Sequence, residues 1–167
     1  MGLMIDLQPG FGRALVVGGG QVAARKVRTL AEAEFETVVV APEVIDEIRH
    51  KPHVTMVERA FAESDLDGFA VVIAATRDRD LNRRIGQLCR KRGTPVLVAD
   101  RQEESTFFTP AVIRDEGLAI AVSTGGASPA IAKAIRERIV AALGPNWGSL
   151  LRMARSERQE RLERERE

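Results

Sequence analysis

Arg13-Ala14-Leu15-Val16-Val17-Gly18-Gly19-Gly20-Gln21-Val22-Ala23-Ala24-Arg25-Lys26 is the stretch that decides the fold. Ala14 to Val17 is an apolar run of the length of one buried strand. Three glycines break it, and from Gln21 onward Val22, Ala23, Val27 and Leu30 recur at helical spacing. A strand, a glycine turn and a helix make the first half of a nucleotide-binding βαβ unit, and Gly18, Gly20 and Ala23 fall on the pattern G-x-G-x-x-A. Gly18 allows the tight turn out of the strand. Gly20 has no Cβ, so a pyrophosphate can approach the backbone. Ala23 is small enough for close packing of helix on strand. Phosphates would then sit on free N–H groups at the positive end of the helix, and Arg25 and Lys26 are near enough to meet an anion. The same triplet could be a plain turn between core elements; a second apolar run at Phe35–Val40 favours the phosphate cradle.

Composition narrows the class. An apolar fraction of 44% supports the core of one domain, with at most a small appendage, in 167 residues. Twenty-five basic residues against 24 acidic ones leave no global field to attract nucleic acid. The single cysteine, Cys89, lies in a helical pattern and reads as a buried core thiol, which excludes an intrachain disulfide. No basic flank precedes a long apolar run, and no stretch is long enough to span a membrane, so a cytoplasmic protein is expected. There is no tyrosine, which excludes Tyr-Lys dehydrogenase chemistry. His50 and His53 fall before the third strand, at the sheet edge away from a site at the strand C-termini, and read as solvated loop residues.

Apolar runs at residues 35–40, 54–58, 70–75 and 95–99 alternate with helical patterns at residues 21–32, 44–49 and 80–92. The expected fold class is therefore α/β, a Rossmann-like parallel sheet of five strands in the order 3-2-1-4-5. Its ligand crevice should lie above Gly18–Gly20, Ala75 and Thr76, with Thr76 or Asp78 capping the next helix. The acid that holds the adenosine ribose is expected about 20 residues past the glycines. Position 40 is valine, which leaves Glu43 either to reach the ribose or to act as a helix N-terminal acid. No arginine stands at this strand end, which favours NAD over NADP. Asp65-Leu66-Asp67-Gly68 reads as a loop. After Asp100 the rhythm changes: a strand at residues 118–123, a loop Thr124–Ala127, a helix opened by Ser128-Pro129 and stopped by Gly144-Pro145, and a final helix from Asn146 on which Trp147, Leu150, Leu151 and Met153 can pack. This small unit must dock on the first domain or on a second copy of itself. The charged end of the last helix pairs at i,i+3 and i,i+4.

Without tyrosine or a nearby histidine, the acid/base candidates are carboxylates. Asp100 stands out because it follows a strand of the sheet directly, beside the expected crevice. The alternative is that it merely caps a turn.

Together, Gly18–Lys26, Ala74-Ala75-Thr76 with Leu81-Asn82, Val98-Ala99-Asp100, Phe107–Ala111 and Ala121-Val122-Ser123-Thr124-Gly125-Gly126-Ala127-Ser128-Pro129 resemble the precorrin-2 dehydrogenase family, the N-terminal module of siroheme synthases. The likeness covers nearly all of residues 3–150, and the Ser123–Pro129 run is absent from ordinary Rossmann enzymes. It implies oxidation of precorrin-2 to sirohydrochlorin with NAD as hydride acceptor, with Asp100 as the catalytic aspartate. It implies cofactor contacts from Gly18, Gly19, Gly20, Gln21, Val22, Ala23, Pro42, Glu43, Ala75 and Thr76. Substrate would meet Ser123, Thr124, Gly125, Gly126 and Ser128, and arginines such as Arg101 or Arg114 would bind its carboxylates. No metal ligands are expected. The implied organisation is an NAD-binding domain at 1–108, a homodimerisation segment at 109–145 and a shortened helical tail at 146–167.

Some residues depart from the family pattern. Helix one usually ends in glycine, but this chain has Ala33-Glu34-Phe35, so a different turn is expected there. Thr76-Arg77-Asp78-Arg79 is more basic than the family's turn. Two other readings are a bifunctional enzyme that also inserts ferrous iron, and a non-catalytic NAD-sensing domain.

Overall fold

The computed structural model describes residues 2–115, 117–144 and 147–165. Pro145 and Asn146, expected at the junction of the last two helices, and the end of the expected tail at 166–167 lie outside them. The chain forms two compact units, one of residues 3–108 and one of residues 109–167 with the first two residues.

In the first unit, β1 (Arg13–Val17), β2 (Thr37–Val40), β3 (Val54–Val57), β4 (Phe69–Ala74) and β5 (Val96–Val98) form a parallel sheet in the order β3-β2-β1-β4-β5, as the alternation of apolar runs implied. Between them run α1 (Gln21–Ala31), α2 (Asp46–Arg49) and α3 (Arg79–Arg92). The central strands are apolar over Ala14–Val17 of β1 and all of β4, because both faces are covered. Val16, Val39 and Ile73 pack with Ala23, Ala24 and Val27 of α1 and Ile48 of α2, while Leu15, Val17, Val72 and Val96 pack with Ile85 and Cys89 of α3. Residues 65–68, expected as a loop, are partly drawn into a 3₁₀ turn at Glu63–Leu66. Asp65 accepts from the Ala62 N–H at 2.8 Å and pairs with Arg59, which seats Leu66 in the core.

Two helix ends make an instructive pair. Gly93 ends α3 in the left-handed region (φ 70), with Gly93 N–H donating to Arg90 O and Thr94 N–H to Cys89 O. The end of α1 was expected to turn differently for want of a glycine, but it makes the same motif. Glu34 N–H donates to Ala31 O, Phe35 N–H donates to Leu30 O, and Glu34 takes φ 58. Phe35 packs beneath Leu30, so the apolar contact that accompanies this turn is present and offsets the unfavourable conformation of Glu34.

The second unit holds one strand more than expected. β6 (Ala111–Asp115) pairs antiparallel with β7 (Leu118–Val122), Val112 opposite Ala121 and Ile113 opposite Ile120. α4 (Pro129–Leu143) packs on both strands, and Ser128 caps it by accepting from Ile131 N–H at 3.2 Å. In α5 (Trp147–Arg164) the Gly148 N–H donates to Asp115 Oδ2 at 2.8 Å, so β6 supplies the cap. Of the side chains expected to pack, Leu151 is half-buried and Trp147 donates Nε1–H to Leu143 O at 2.7 Å, while Trp147, Leu150 and Met153 remain 42%, 56% and 62% exposed. No helix among the described residues is long and apolar enough to cross a membrane.

Candidate functional site

The glycine turn fits its surroundings with no room to spare on two sides and open space on the third. Gly18 N–H donates to Val40 O at 2.9 Å and Ala75 N–H to Val17 O at 2.8 Å, which pins the turn between the ends of β2 and β4. A Cβ on Gly18, whose φ is +126, would lie 2.3 Å from Ala75 O; one on Gly19 would lie 1.9 Å from Glu43 O. Around Gly20 nothing stands within 4 Å of that position. Gly20 is also the N-cap of α1 and supplies no side-chain cap, so the first-turn N–H groups face outward without an internal acceptor. Gln21 and Val22 are exposed there, while Ala23 is fully buried against the sheet. An uncapped helix N-terminus behind an unobstructed glycine fits a pyrophosphate. Lys26 lies in the next turn, half-buried, and burial followed by the charge of Arg25 lowers its pKa.

Pro42 and Glu43 are exposed on the segment after β2. That segment is tied to the glycine turn, because Ile45 N–H donates to Gly19 O at 3.0 Å. The ribose-side candidates are therefore fixed relative to the phosphate-side ones. Glu43 precedes α2 by three positions and makes no cap for it, since the N-cap of α2 is Ile45.

On the other flank, Ala75 is buried and Thr76 half-buried at the end of β4. Asp78, not Thr76, caps α3, accepting from Asp80 N–H and Leu81 N–H. Thr76 instead meets Asn82, whose Oδ1 accepts from Thr76 N–H at 3.1 Å and whose Nδ2 donates to Thr76 O at 3.1 Å. The same Nδ2 donates to Asp100 Oδ1 at 3.1 Å. Arg79 brings Nε to 3.6 Å from Asp100 Oδ2 and pairs with Glu104. The hydrogen bond that Arg79 donates to Glu104, then the charges of Glu104, Asp100 and Asp80, raise the Arg79 pKa against its own desolvation, so this guanidinium is a permanent cation. Asp100 itself follows β5, and Ala99 N–H donates to Ala74 O at 2.9 Å, which sets it beside the end of β4. Its side chain is 38% exposed. A continuous chain of contacts thus runs from Gly18 through Ala75 and Thr76 to Asn82 and Asp100.

Ser123, Thr124, Gly125, Gly126 and Ser128 belong to the second unit, where they form a self-bonded turn between β7 and α4. Gly125 N–H donates to Ser123 Oγ at 3.1 Å, and Ser128 N–H to Thr124 Oγ1 at 3.0 Å. Gly125 and Gly126 take φ 63 and 86, so both glycines serve the backbone path. Arg101 and Arg114 are exposed. Among the described residues no group of three His, Cys, Asp or Glu side chains is placed to hold a metal ion.

Asn82 is the residue that sequence reasoning passed over as a site member. Its signal was present: α3 buries Asn82, Ile85, Gly86 and Cys89 in one helical stripe, and an amide there needs polar partners.

Comparison with known proteins places this arrangement. Residues 3–111 match a family model described as putative NAD(P)-binding, and residues 115–142 match one described as the central part of sirohaem biosynthesis proteins. The chain is 41% identical over 139 residues to a siroheme synthase of Thioalkalivibrio sulfidiphilus, covering 81% of this chain and 28% of that protein. To a siroheme synthase of Methylococcus capsulatus it is 38% identical over 143 residues, 84% of this chain and 30% of that one. The chain therefore spans less than a third of the length of these relatives. The solved structure of SirC, a precorrin-2 dehydrogenase, matches with a TM-score of 0.74 at 27% identity, over 91% of this chain and 75% of that one. With a model matched over most of its length, the chain belongs to the putative NAD(P)-binding family and carries behind that domain the central segment of sirohaem biosynthesis proteins.

Proposed function

We propose that this chain catalyses the NAD-dependent oxidation of precorrin-2 to sirohydrochlorin, with Asp100 as the group that takes the proton. One observation carries the reading: an open, uncapped phosphate cradle at Gly20 joined by unbroken contacts to an accessible carboxylate at the end of β5. Bound NAD would supply the hydride acceptor. The residues of this chain do the rest. The first-turn N–H groups of α1 would bind the pyrophosphate, and Ala75 and Thr76 would form the wall on the β4 side. Glu43, exposed beside the glycine turn, would take the ribose hydroxyls and disfavour a 2′-phosphate, so NAD is preferred over NADP. As a hydride leaves the reduced macrocycle, a proton must leave as well, and Asp100 accepts it while its negative charge stabilises the developing cation.

The second unit supports a further part of the reading, a homodimer built through residues 109–145. Ile131, Ile135 and Val140 of α4 stay exposed in the single chain, and the Ser123–Ser128 turn would border the tetrapyrrole. The experiment is an anaerobic assay of precorrin-2 with NAD, followed by absorbance, for wild type and Asp100→Asn. Asn keeps the size of the side chain and removes the base. A loss of about 100-fold or more in kcat with unchanged NAD affinity is expected; undiminished turnover would remove Asp100 from this role.

A further inference from the structure

The amide of Asn82 is 1% exposed and has one possible orientation. Its Oδ1 faces Thr76 N–H, which can only donate, at 3.1 Å, and also lies 2.7 Å from Thr76 Oγ1. Its Nδ2 faces Thr76 O and Asp100 Oδ1, both acceptors, each at 3.1 Å. Exchanging O and N would set acceptor against acceptor and donor against donor, so the N–H is fixed toward the carboxylate. The partner of Asp100 on one side is thus a buried group anchored to the backbone of the crevice wall, while the partner on the other side, Arg79, is a long side chain shared with Glu104.

We propose that Asn82 is a positioning residue for the oxidation: it couples the rotamer of Asp100 to the turn after β4, so the acid/base and the crevice wall keep one geometry. This rests on the reading of Asp100 given above. An exposed carboxylate after a strand would otherwise sample several rotamers, and a displacement of about 1 Å at a reacting group can cost on the order of 100-fold in rate.

The test uses Asn82→Asp, Asp100→Asn and the two combined. Asn82→Asp keeps the acceptor toward Thr76 N–H but sets a carboxylate oxygen against both Thr76 O and Asp100 Oδ1, so both donations of Nδ2 are lost. The charged groups around the pair are Arg79 of α3 and, across Arg79, Asp80 and Glu104; Thr76 contributes no charge. Two facing carboxylates retain a shared proton to higher pH. The expected result is a folded protein with kcat down about 10- to 100-fold at neutral pH. The KM for NAD should change less than kcat, and the acid limb of the kcat profile should move to higher pH. The double variant restores the donor–acceptor pair between positions 82 and 100 with the roles exchanged, but not the donation to Thr76 O, so its melting temperature should recover in part while turnover stays lost. Wild-type kcat in folded Asn82→Asp, or a fall in kcat with the acid limb unmoved, overturns the proposal. If Asn82→Asp does not fold, Asn82→Ala decides: kcat lowered with the KM for NAD held supports the coupling, and wild-type kcat overturns it. Full activity of Asp100→Asn alone would instead sink the reading of Asp100, whatever Asn82 does.

Discussion

Gly19 and Glu43 are in backbone contact: a Cβ on Gly19 would stand 1.9 Å from the Glu43 carbonyl oxygen, and the Gly19 carbonyl receives the Ile45 N–H at 3.0 Å. The glycine after Gly19 is the reverse case, with no atom within 4 Å of its Cβ position. The two substitutions should therefore separate. Gly19→Ala pushes the post-β2 segment away and should cost about 1–3 kcal/mol of stability. Gly20 has φ −94, which alanine adopts freely, so Gly20→Ala should leave the free energy of unfolding in urea unchanged within about 0.5 kcal/mol. It should still weaken NAD binding by about tenfold or more, because its methyl occupies the approach to the helix N-terminus. Calorimetric titration with NAD beside urea unfolding checks both; equal NAD affinity in Gly20→Ala and wild type would mean that the pyrophosphate lies elsewhere.

Glu34 holds the position that glycine holds at the end of α3. A side chain in the left-handed region costs about 1 kcal/mol, part of which the flexibility of glycine in the unfolded chain takes back. Glu34→Gly should raise stability by about 0.5–1 kcal/mol with no change in turnover, read from chemical denaturation. A destabilised variant would mean that the Glu34 side chain makes a compensating contact.

Two buried or paired groups give stability a signed pH dependence. Burial raises the Cys89 thiol from 9.0 to about 11. Between those values the unfolded chain has lost the proton and the native one keeps it, so stability should fall as pH rises from about 9 to about 11. Cys89→Ala should lack that slope. Asp65 shifts the other way: the hydrogen bond from Arg59 holds its carboxyl below the usual range. Its contribution is present above the ordinary aspartate pKa and disappears as pH falls through the lowered native value. Asp65→Asn should flatten the acid limb of a melting-temperature profile. Thiol labelling of native Cys89 should be slow at neutral pH and track unfolding.

Ile135 is 42% exposed on α4, and Ile131 one turn earlier is 55% exposed. If this face joins two copies, Ile135→Glu should convert a sedimenting dimer to a monomer and abolish precorrin-2 turnover while NAD binding by the first unit survives. A wild-type chain that sediments as a monomer at assay concentration removes the dimer from the account.

The strand order was legible because its signals are local: unbroken apolar runs, a glycine turn, helical spacing between them. β6 was not, since apart from the exposed Arg114 its side chains are half-buried in a two-stranded ribbon, and residues 111–115 show neither a continuous core run nor clean alternation. The Arg114-Asp115-Glu116-Gly117 turn chemistry was its available signal. Apolar spacing on α5 named the side chains able to pack but could not say how far each is covered: Leu151 is half-buried, while Leu150 and Met153 stay more than half exposed. Asp100 was found by its place after β5. Asn82 was missed because its partners, Thr76 and Asp100, converge only through the pairing of β4 with β5. At Glu34, residue preference gave way to the Phe35–Leu30 contact.

The most direct measurement is anaerobic incubation of precorrin-2 and NAD with the wild-type chain, reading the product spectrum and the reduced cofactor together. Sirohydrochlorin and NADH appearing in equal amounts is the expected result. NAD binding with neither product formed, by a folded protein at the concentration where it is dimeric, would contradict the proposed oxidation and leave a dinucleotide-binding domain without this chemistry.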